Sequence, residues 1–332
     1  MLDDQRRYVG PQGVLTRFVQ TLCLAANDYG MNIDGNPSVA YSNPNAPQQS
    51  IQRACDELCE RIKREKGGPP ELLMLFIKGR NPITYEILKQ YCDTVKGLQS
   101  QAIDGFNAQR KGGDRAYHAN LLLKINVKLG GTTVVLQTPI TTKAIPTVYS
   151  FLCMADKKMF IGADVSHAAP GSKAPSLATM VGSVDHEGVR YACPLPLNQH
   201  SREESISGVR AMVTELANIY KKNTNTYPER VMYFRDGVAE GQFVKVKEVE
   251  VAAIKEAIAR LSGKAPSVTA IVVRKRNQTR LFPKEGEGDR SSRGNVHPGT
   301  VVDMEITHPK DFDFCTKCKL WHFTDVRSCS AF

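Results

Sequence analysis

Two aspartates stand at the ends of two apolar runs. Asp164 follows Met159-Phe160-Ile161-Gly162-Ala163 and precedes Val165-Ser166-His167, and Asp236 follows Val231-Met232-Tyr233-Phe234-Arg235 and precedes Gly237-Val238. Each run reads as a buried strand that ends on a carboxylate and then breaks at a turn. Strand ends hold side chains rigidly, and two aspartates held in this way can share a divalent cation, the arrangement that metal-assisted phosphodiester cleavage needs. An aspartate after an apolar run is also a common turn former or helix cap, so the surrounding residues must decide between the two readings.

A second set of residues suits an anion. Asn120, Lys124 and Lys128 recur at i, i+4 and i+8, which puts all three on one face of a helix predicted over 117–129. Tyr85 and Lys89 are spaced i, i+4 on another predicted helix. A tyrosine beside clustered lysines can stack a base while the ammonium groups hold phosphate. Lysines at this spacing also occur on ordinary solvated faces.

The elements that must position these residues are legible in outline. Apolar residues recur at helical spacing over 14–24, residues 34–50 are rich in Asn, Pro and Ser and read as a loop, and a helix is predicted over 51–64. Residues 72–77 read as a short buried strand, 83–98 as a helix with Pro82 in its first turn, 105–114 as a basic glycine-containing turn, and 117–129 as a helix closed by Gly130-Gly131. This alternation predicts a small α/β domain over 1–138. Residues 138–157 read as a connector, after which a second α/β unit begins with the Asp164 strand. Strands are predicted over 177–184, 189–194, 268–273 and 300–306, and helices over 204–220 and 242–261.

The chain has 332 residues, 41% of them hydrophobic and 23% charged, values typical of globular domains. Its 44 Lys and Arg exceed 34 Asp and Glu by +10, a balance that favours a polyanionic partner. No apolar run reaches membrane-spanning length and the first residues lack a signal-peptide core, so no membrane partner is expected and the default location is cytoplasmic, with nuclear access left open. Nine cysteines show no disulfide-like framework. Cys315 and Cys318, with His322 and Cys329 nearby, lack the second well-spaced pair that a structural zinc site needs. Neither a P-loop nor a dinucleotide-binding glycine motif is present, which removes the main support for nucleotide-driven motors and dinucleotide enzymes.

Longer words in the sequence carry a family resemblance. Ile161-Gly162-Ala163-Asp164-Val165-Ser166-His167, then Pro175-Ser176-Leu177-Ala178, then Tyr233-Phe234-Arg235-Asp236-Gly237-Val238-Ala239-Glu240-Gly241-Gln242-Phe243 resemble the PIWI domain of eukaryotic, fungal-like Argonaute proteins, and Leu123-Lys124-Ile125-Asn126-Val127-Lys128-Leu129-Gly130-Gly131 resembles their MID domain. The resemblance covers about residues 14–314. It implies a small Rossmann-like MID domain over 1–138, an incomplete ribonuclease H-like PIWI domain over 139–314 and a divergent tail over 315–332. It further implies that Tyr85, Lys89, Gln101, Lys124 and Lys128 hold the 5′ phosphate or first base of a guide RNA, with Asn120 beside that base. Asp164 and Asp236 match the first and second catalytic aspartates of an Mg²⁺- or Mn²⁺-dependent endoribonuclease. Counting back without gaps from Asp236, through a segment resembling Gln199-His200-Ser201-Arg202-Glu203-Glu204, selects Glu204 as the third carboxylate. Arg274-Lys275-Arg276 and Thr279-Arg280-Leu281-Phe282 resemble a basic segment of the family and suit an RNA channel.

The matching words stop after Phe312-Asp313-Phe314, before the family's fourth metal-binding group. His322 does not sit in a matching context and is not promoted to that role. The expected function is small-RNA-guided silencing with a guide RNA, a complementary target RNA and silencing-complex proteins as partners. The slicer chemistry of the intact relatives is expected to be weak or absent in this chain, whose sheet is expected to lack strands and covering helices. A guide-binding module without chemistry, and a faulty gene model, stand as the alternatives.

Overall fold

The computed structural model describes residues 2–3, 13–42, 47–77, 82–135, 157–167, 175–194, 197–199, 206, 208–274, 279–289, 294–297, 299–307, 312–317 and 326–331. The chain divides into two compact units, Met1–Thr133 and Val134–Phe332. Both are α/β, as the alternation of elements predicts.

In the first unit, β1 (Leu2–Asp3), β2 (Ala40–Tyr41), β3 (Leu73–Ile77) and β4 (Ser100–Asp104) form a parallel sheet in the order β2-β1-β3-β4 among the described residues. The run Leu73-Met74-Leu75-Phe76-Ile77 is apolar throughout because both faces of β3 are covered, the usual state of a parallel strand. Met74 and Phe76 meet Phe18, Leu22, Ala25 and Ala26 of α1 (Gly13–Asp28), with the Phe18 and Phe76 rings edge to face at 5.2 Å. Leu73, Leu75 and Ile77 meet Ile51, Ala54, Cys55 and Leu58 of α2 (Pro47–Lys66) on the other side.

The predicted helix over 83–98 is α3 (Pro82–Gln90) followed by a π-helical turn, Tyr91–Lys96, that ends on Gly97 at φ 62°. Residues 105–114 are not simply a turn: Gly105–Lys111 form α4, and only Gly112-Gly113 turn. The reason is a cap. The Asp104 carboxylate accepts from Phe106 N at 3.0 Å, and Ala108 is buried, so a basic segment gains both a helix start and an inner face. Asp114 caps α5 (Arg115–Lys128) in the same way, accepting from Ala116 N at 2.9 Å and Tyr117 N at 3.4 Å.

The second unit is built on a mixed nine-stranded sheet among its described residues. Its strands are β5 (Lys158–Ser166), β6 (Ser176–Ser183), β7 (Tyr191–Ala192), β8 (Leu197–Gln199), β9 (Arg230–Asp236), β10 (Ser267–Arg274), β11 (Val301–Val302), β12 (Phe312–Lys317) and β13 (Val326–Ala331). Their order is β11-β12-β13-β10-β9-β5-β6-β7, with β8 paired to β6. One face is covered by α6 (Val209–Thr224) and α7 (Ala252–Ser262): Met159, Ile161, Ala163, Val231, Tyr233, Ala270 and Val272 pack with Val213, Leu216, Ala217, Ile254 and Ile258. The predicted helix over 242–261 enters α7 through a π-helical turn, Val246–Val251.

Beyond Phe314 the sheet gains strands rather than lacking them. β12 runs on to Lys317, and β13 returns beside it and pairs antiparallel with β10 from Ile271↔Ala331 to Arg274↔Ser328. Antiparallel ladders draw on backbone N–H and C=O groups, which residues of any type but proline supply in full, so residues past the last matching words still extend the sheet. The strand predicted over 300–306 shortens to Val301–Val302.

Candidate functional site

In the first unit, two lysines from different helices meet at the start of one strand. Lys89, in the last turn of α3, donates from Nζ to Ser100 O at 3.0 Å and to Ser100 Oγ at 2.9 Å. Lys128, the last residue of α5, donates to the same Ser100 O at 2.7 Å and to Gln101 Oε1 at 2.8 Å. Gln101 is buried, with its Nε2 donating to Ala102 O at 2.7 Å, which fixes the orientation of its amide. Burial first, and then the neighbouring Lys89 and Lys124 charges, hold the Lys128 ammonium below the ordinary lysine value. Asp93 Oδ1 lies 3.9 Å from Lys89 Nζ and supplies a partial counter-charge.

This is a cationic socket. Each ammonium has three N–H groups: Lys89 spends two on Ser100, and Lys128 spends one on Ser100 and one on Gln101. Two ammonium groups on one carbonyl oxygen repel each other, and an anion with several oxygens is the ligand that offsets that repulsion. Lys124 is exposed one turn before Lys128, and Tyr85 is exposed one turn before Lys89, so both face solvent on the helices that supply the lysines. Asn120 is exposed as well, with its amide donating to Ala116 O of its own helix at 3.0 Å.

In the second unit, β5 and β9 are adjacent and parallel, with Ala163 opposite Arg235. The next residue on each strand is an aspartate. Asp164 and Asp236 both line an open cleft of about 370 Å³ with Gly162, Thr179, Val181, Phe234 and Val273, on the sheet face away from α6 and α7. Asp164 Oδ1 accepts from Val165 N at 2.9 Å. Gly237 turns the chain at φ 79°, and a Cβ there would stand 3.5 Å from Asp164 Oδ1, so the turn after Asp236 closes on the Asp164 carboxylate. Asp236 ends β9, but β5 does not end on Asp164 as expected: it runs on to Ser166, so Asp164 sits inside the ladder, paired with Thr179. Hard carboxylate oxygens on two neighbouring strands are the donor type that Mg²⁺ or Mn²⁺ takes. Glu204 lies outside the described residues, as do Lys275, Arg276, Cys318 and His322. Arg274 is described and pairs with Glu240.

Sequence reasoning missed Ser100, Arg235 and Glu250. Ser100 is fully buried and its carbonyl gathers both lysines, but β4 (Ser-Gln-Ala-Ile-Asp) has too little apolar character to be read as a strand. Arg235 and Glu250 are also buried, 1% and 0% exposed, and Arg235 Nε reaches Glu250 Oε2 at 3.1 Å. The signal for that pair was present: an arginine inside an apolar strand run requires a buried acidic partner.

With this geometry in view, the comparisons are specific. The family model for the Piwi domain matches residues 72–330, past the point at which the motif-level resemblance stops. Protein argonaute 2 of Oryza sativa subsp. japonica is 33% identical over 300 residues, covering 90% of this chain and 28% of the rice protein. The chain therefore spans under a third of that relative's length. Among solved structures, the C-terminal lobe of a budding yeast Argonaute matches with a TM-score of 0.78 and 25% identity over 100% of this chain and 68% of that one. The Kluyveromyces polysporus Argonaute with a guide RNA matches with a TM-score of 0.77 and 24% identity over 99% of this chain and 38% of that one, a likeness of fold.

Proposed function

The chain belongs to the Piwi domain family, and from that premise we propose that it acts in small-RNA-guided gene silencing, its first unit gripping the 5′ phosphate of a guide RNA. The observation that carries this reading is the convergence of Lys89 and Lys128 on Ser100 O, at 3.0 and 2.7 Å, beside the buried Gln101 amide. A terminal phosphate offers several oxygens and up to two charges to ammonium groups held in one place. Lys124 and Tyr85 flank the socket on the solvent side, where the rest of the nucleotide would lie: Lys124 adds charge for the backbone, and Tyr85 an aromatic face for a base.

The acidic pair of the second unit is read as the metal-holding part of an endoribonuclease site. Asp164 and Asp236 would hold Mg²⁺ or Mn²⁺, with Glu204 as a third carboxylate. When bound, such an ion polarises a phosphoryl oxygen and lowers the pKa of a coordinated water. The parallel pairing of β5 with β9 keeps the two carboxylates on one face of the sheet, lining the same cleft. A complementary target RNA is the substrate this reading implies, and silencing-complex proteins are its implied partners.

The test is direct. Single-stranded RNA bearing a 5′ phosphate should bind the purified chain roughly tenfold or more tightly than the same RNA with a 5′ hydroxyl, since a hydrogen-bonded charge contact contributes about 1.5–3 kcal/mol. Equal affinity for the two RNAs would remove the phosphate socket from the argument.

A further inference from the structure

The acidic site has a buried support that neither aspartate supplies. Glu250 sits in the π-helical turn that leads into α7, and its carboxylate is fully buried. Three donors from two parts of the chain close on it. Tyr233 OH donates to Oε2 at 2.6 Å and Arg235 Nε donates to Oε2 at 3.1 Å, both from β9. Ile206 N donates to Oε1 at 2.9 Å, from the chain that leads into α6. The Arg235 guanidinium then reaches forward, donating from Nη1 to the carbonyl of Asp236 at 2.6 Å.

We propose that Glu250 is a positioning residue for the acidic site: it ties the main chain of Asp236, through Arg235, to the backbone of Ile206, two residues along the chain from Glu204. The inference rests on the divalent-cation reading given above. A buried ion pair is a poor source of net stability, because desolvation offsets most of its Coulomb attraction, and a hydrophobic pair of similar volume would serve a core equally well. What such a pair adds is direction. Its hydrogen bonds are satisfied in one arrangement, and that arrangement fixes the carbonyl of Asp236 and the amide of Ile206 relative to the same carboxylate. The π-helical turn brings Glu250 under the sheet, and single π turns inside helices recur where a side chain must be aimed at a site. Tyr233 completes the network as a donor, since burial and the Glu250 charge keep its phenol protonated.

Mn²⁺ titration of the full chain, followed by electron paramagnetic resonance with the melting temperature read in parallel, tests the inference. Asp164→Asn should weaken Mn²⁺ binding, and if it does not, the cation reading falls and this inference with it. Given that loss, Glu250→Gln should also weaken Mn²⁺ binding, by about 10- to 100-fold, the range seen when an outer-shell partner of a metal ligand is removed. Leu216→Ala, which opens a cavity in the same core beside Met159 and Gly182 and removes no hydrogen bond to Glu250, sets how far lost stability alone moves the affinity. If Glu250→Gln does not fold, Glu250→Asp replaces it, keeping the charge for Arg235 while drawing back from Ile206 N. Weakening beyond the Leu216→Ala line supports positioning. Affinity that stays at the wild-type value, or that merely tracks melting temperature, overturns it while leaving the cation reading intact.

Discussion

Lys128 serves a strand and a socket at once. Its ammonium closes the start of β4 through Ser100 O and Gln101 Oε1, and burial already makes its charge harder to keep. Lys128→Met retains the stem and removes the charge. It should lower affinity for 5′-phosphorylated RNA by about 1.5–3 kcal/mol, roughly tenfold to a hundredfold, while 5′-hydroxyl RNA loses much less; paired titrations check this. His118 predicts a pH effect on the first unit. It is fully buried, with Nε2 on Gly112 O at 3.0 Å, and burial pulls its value below the ordinary 6.5. The unfolded chain therefore binds the proton at a higher pH than the folded chain does. The stability contributed by the neutral ring is complete above 6.5 and is lost as pH falls below it towards the lower folded value. Melting temperatures between about pH 5 and 8 should show this fall for the wild type and a flatter profile for His118→Gln. Charge and spacing, visible in one dimension, raised Asp164, Asp236, Tyr85, Lys89 and Lys128 as candidates, and the flanking words that resemble the Argonaute family decided for them. Ser100 acts through its carbonyl, which every residue carries, so no side-chain pattern marks it.

Elements were most legible where a side chain announced a boundary. The apolar runs of β3, β5, β9 and β10 and the periodic helices α1 and α5 overlap their predicted extents, because burial on one or both faces dictates their pattern, whereas α6 starts at Val209, five residues after its predicted start, and runs on to Thr224. α4 was hidden: a basic, glycine-flanked stretch looks like a turn until the Asp104 cap and the buried Ala108 are taken together. The two π-helical turns left no mark either, since one extra residue in a helix does not disturb the local composition. Caps make an element-scale prediction. Asp114→Ala removes acceptors from Ala116 N and Tyr117 N and should cost about 1 kcal/mol, within the usual 0.5–2 kcal/mol, seen as a lower urea midpoint with an unchanged slope.

At the scale of the molecule, a net charge of +10 is a statement about association. For single-stranded RNA the logarithm of affinity should fall linearly with the logarithm of salt, by about 0.7 per backbone phosphate neutralised, and Lys128→Met should make that slope shallower by about one such unit. A response flat from roughly 50 to 200 mM salt would show that the excess charge lies away from the RNA. The parallel pairing of β5 with β9 has a further consequence, for which changes this sheet can absorb. Ala163 stands opposite Arg235, and the alternation of each strand turns the following aspartates to the open side. Lengthening the loops around these strands would leave both carboxylates where they are. A single added residue between Lys158 and Ala163 would not: with the hydrogen-bond ladder kept from Lys158 onward, it would carry Asp164 one step further and roll its carboxylate into the apolar layer beneath α6 and α7. Loop length can therefore drift in this fold, while the spacing within these two strands is fixed by parity.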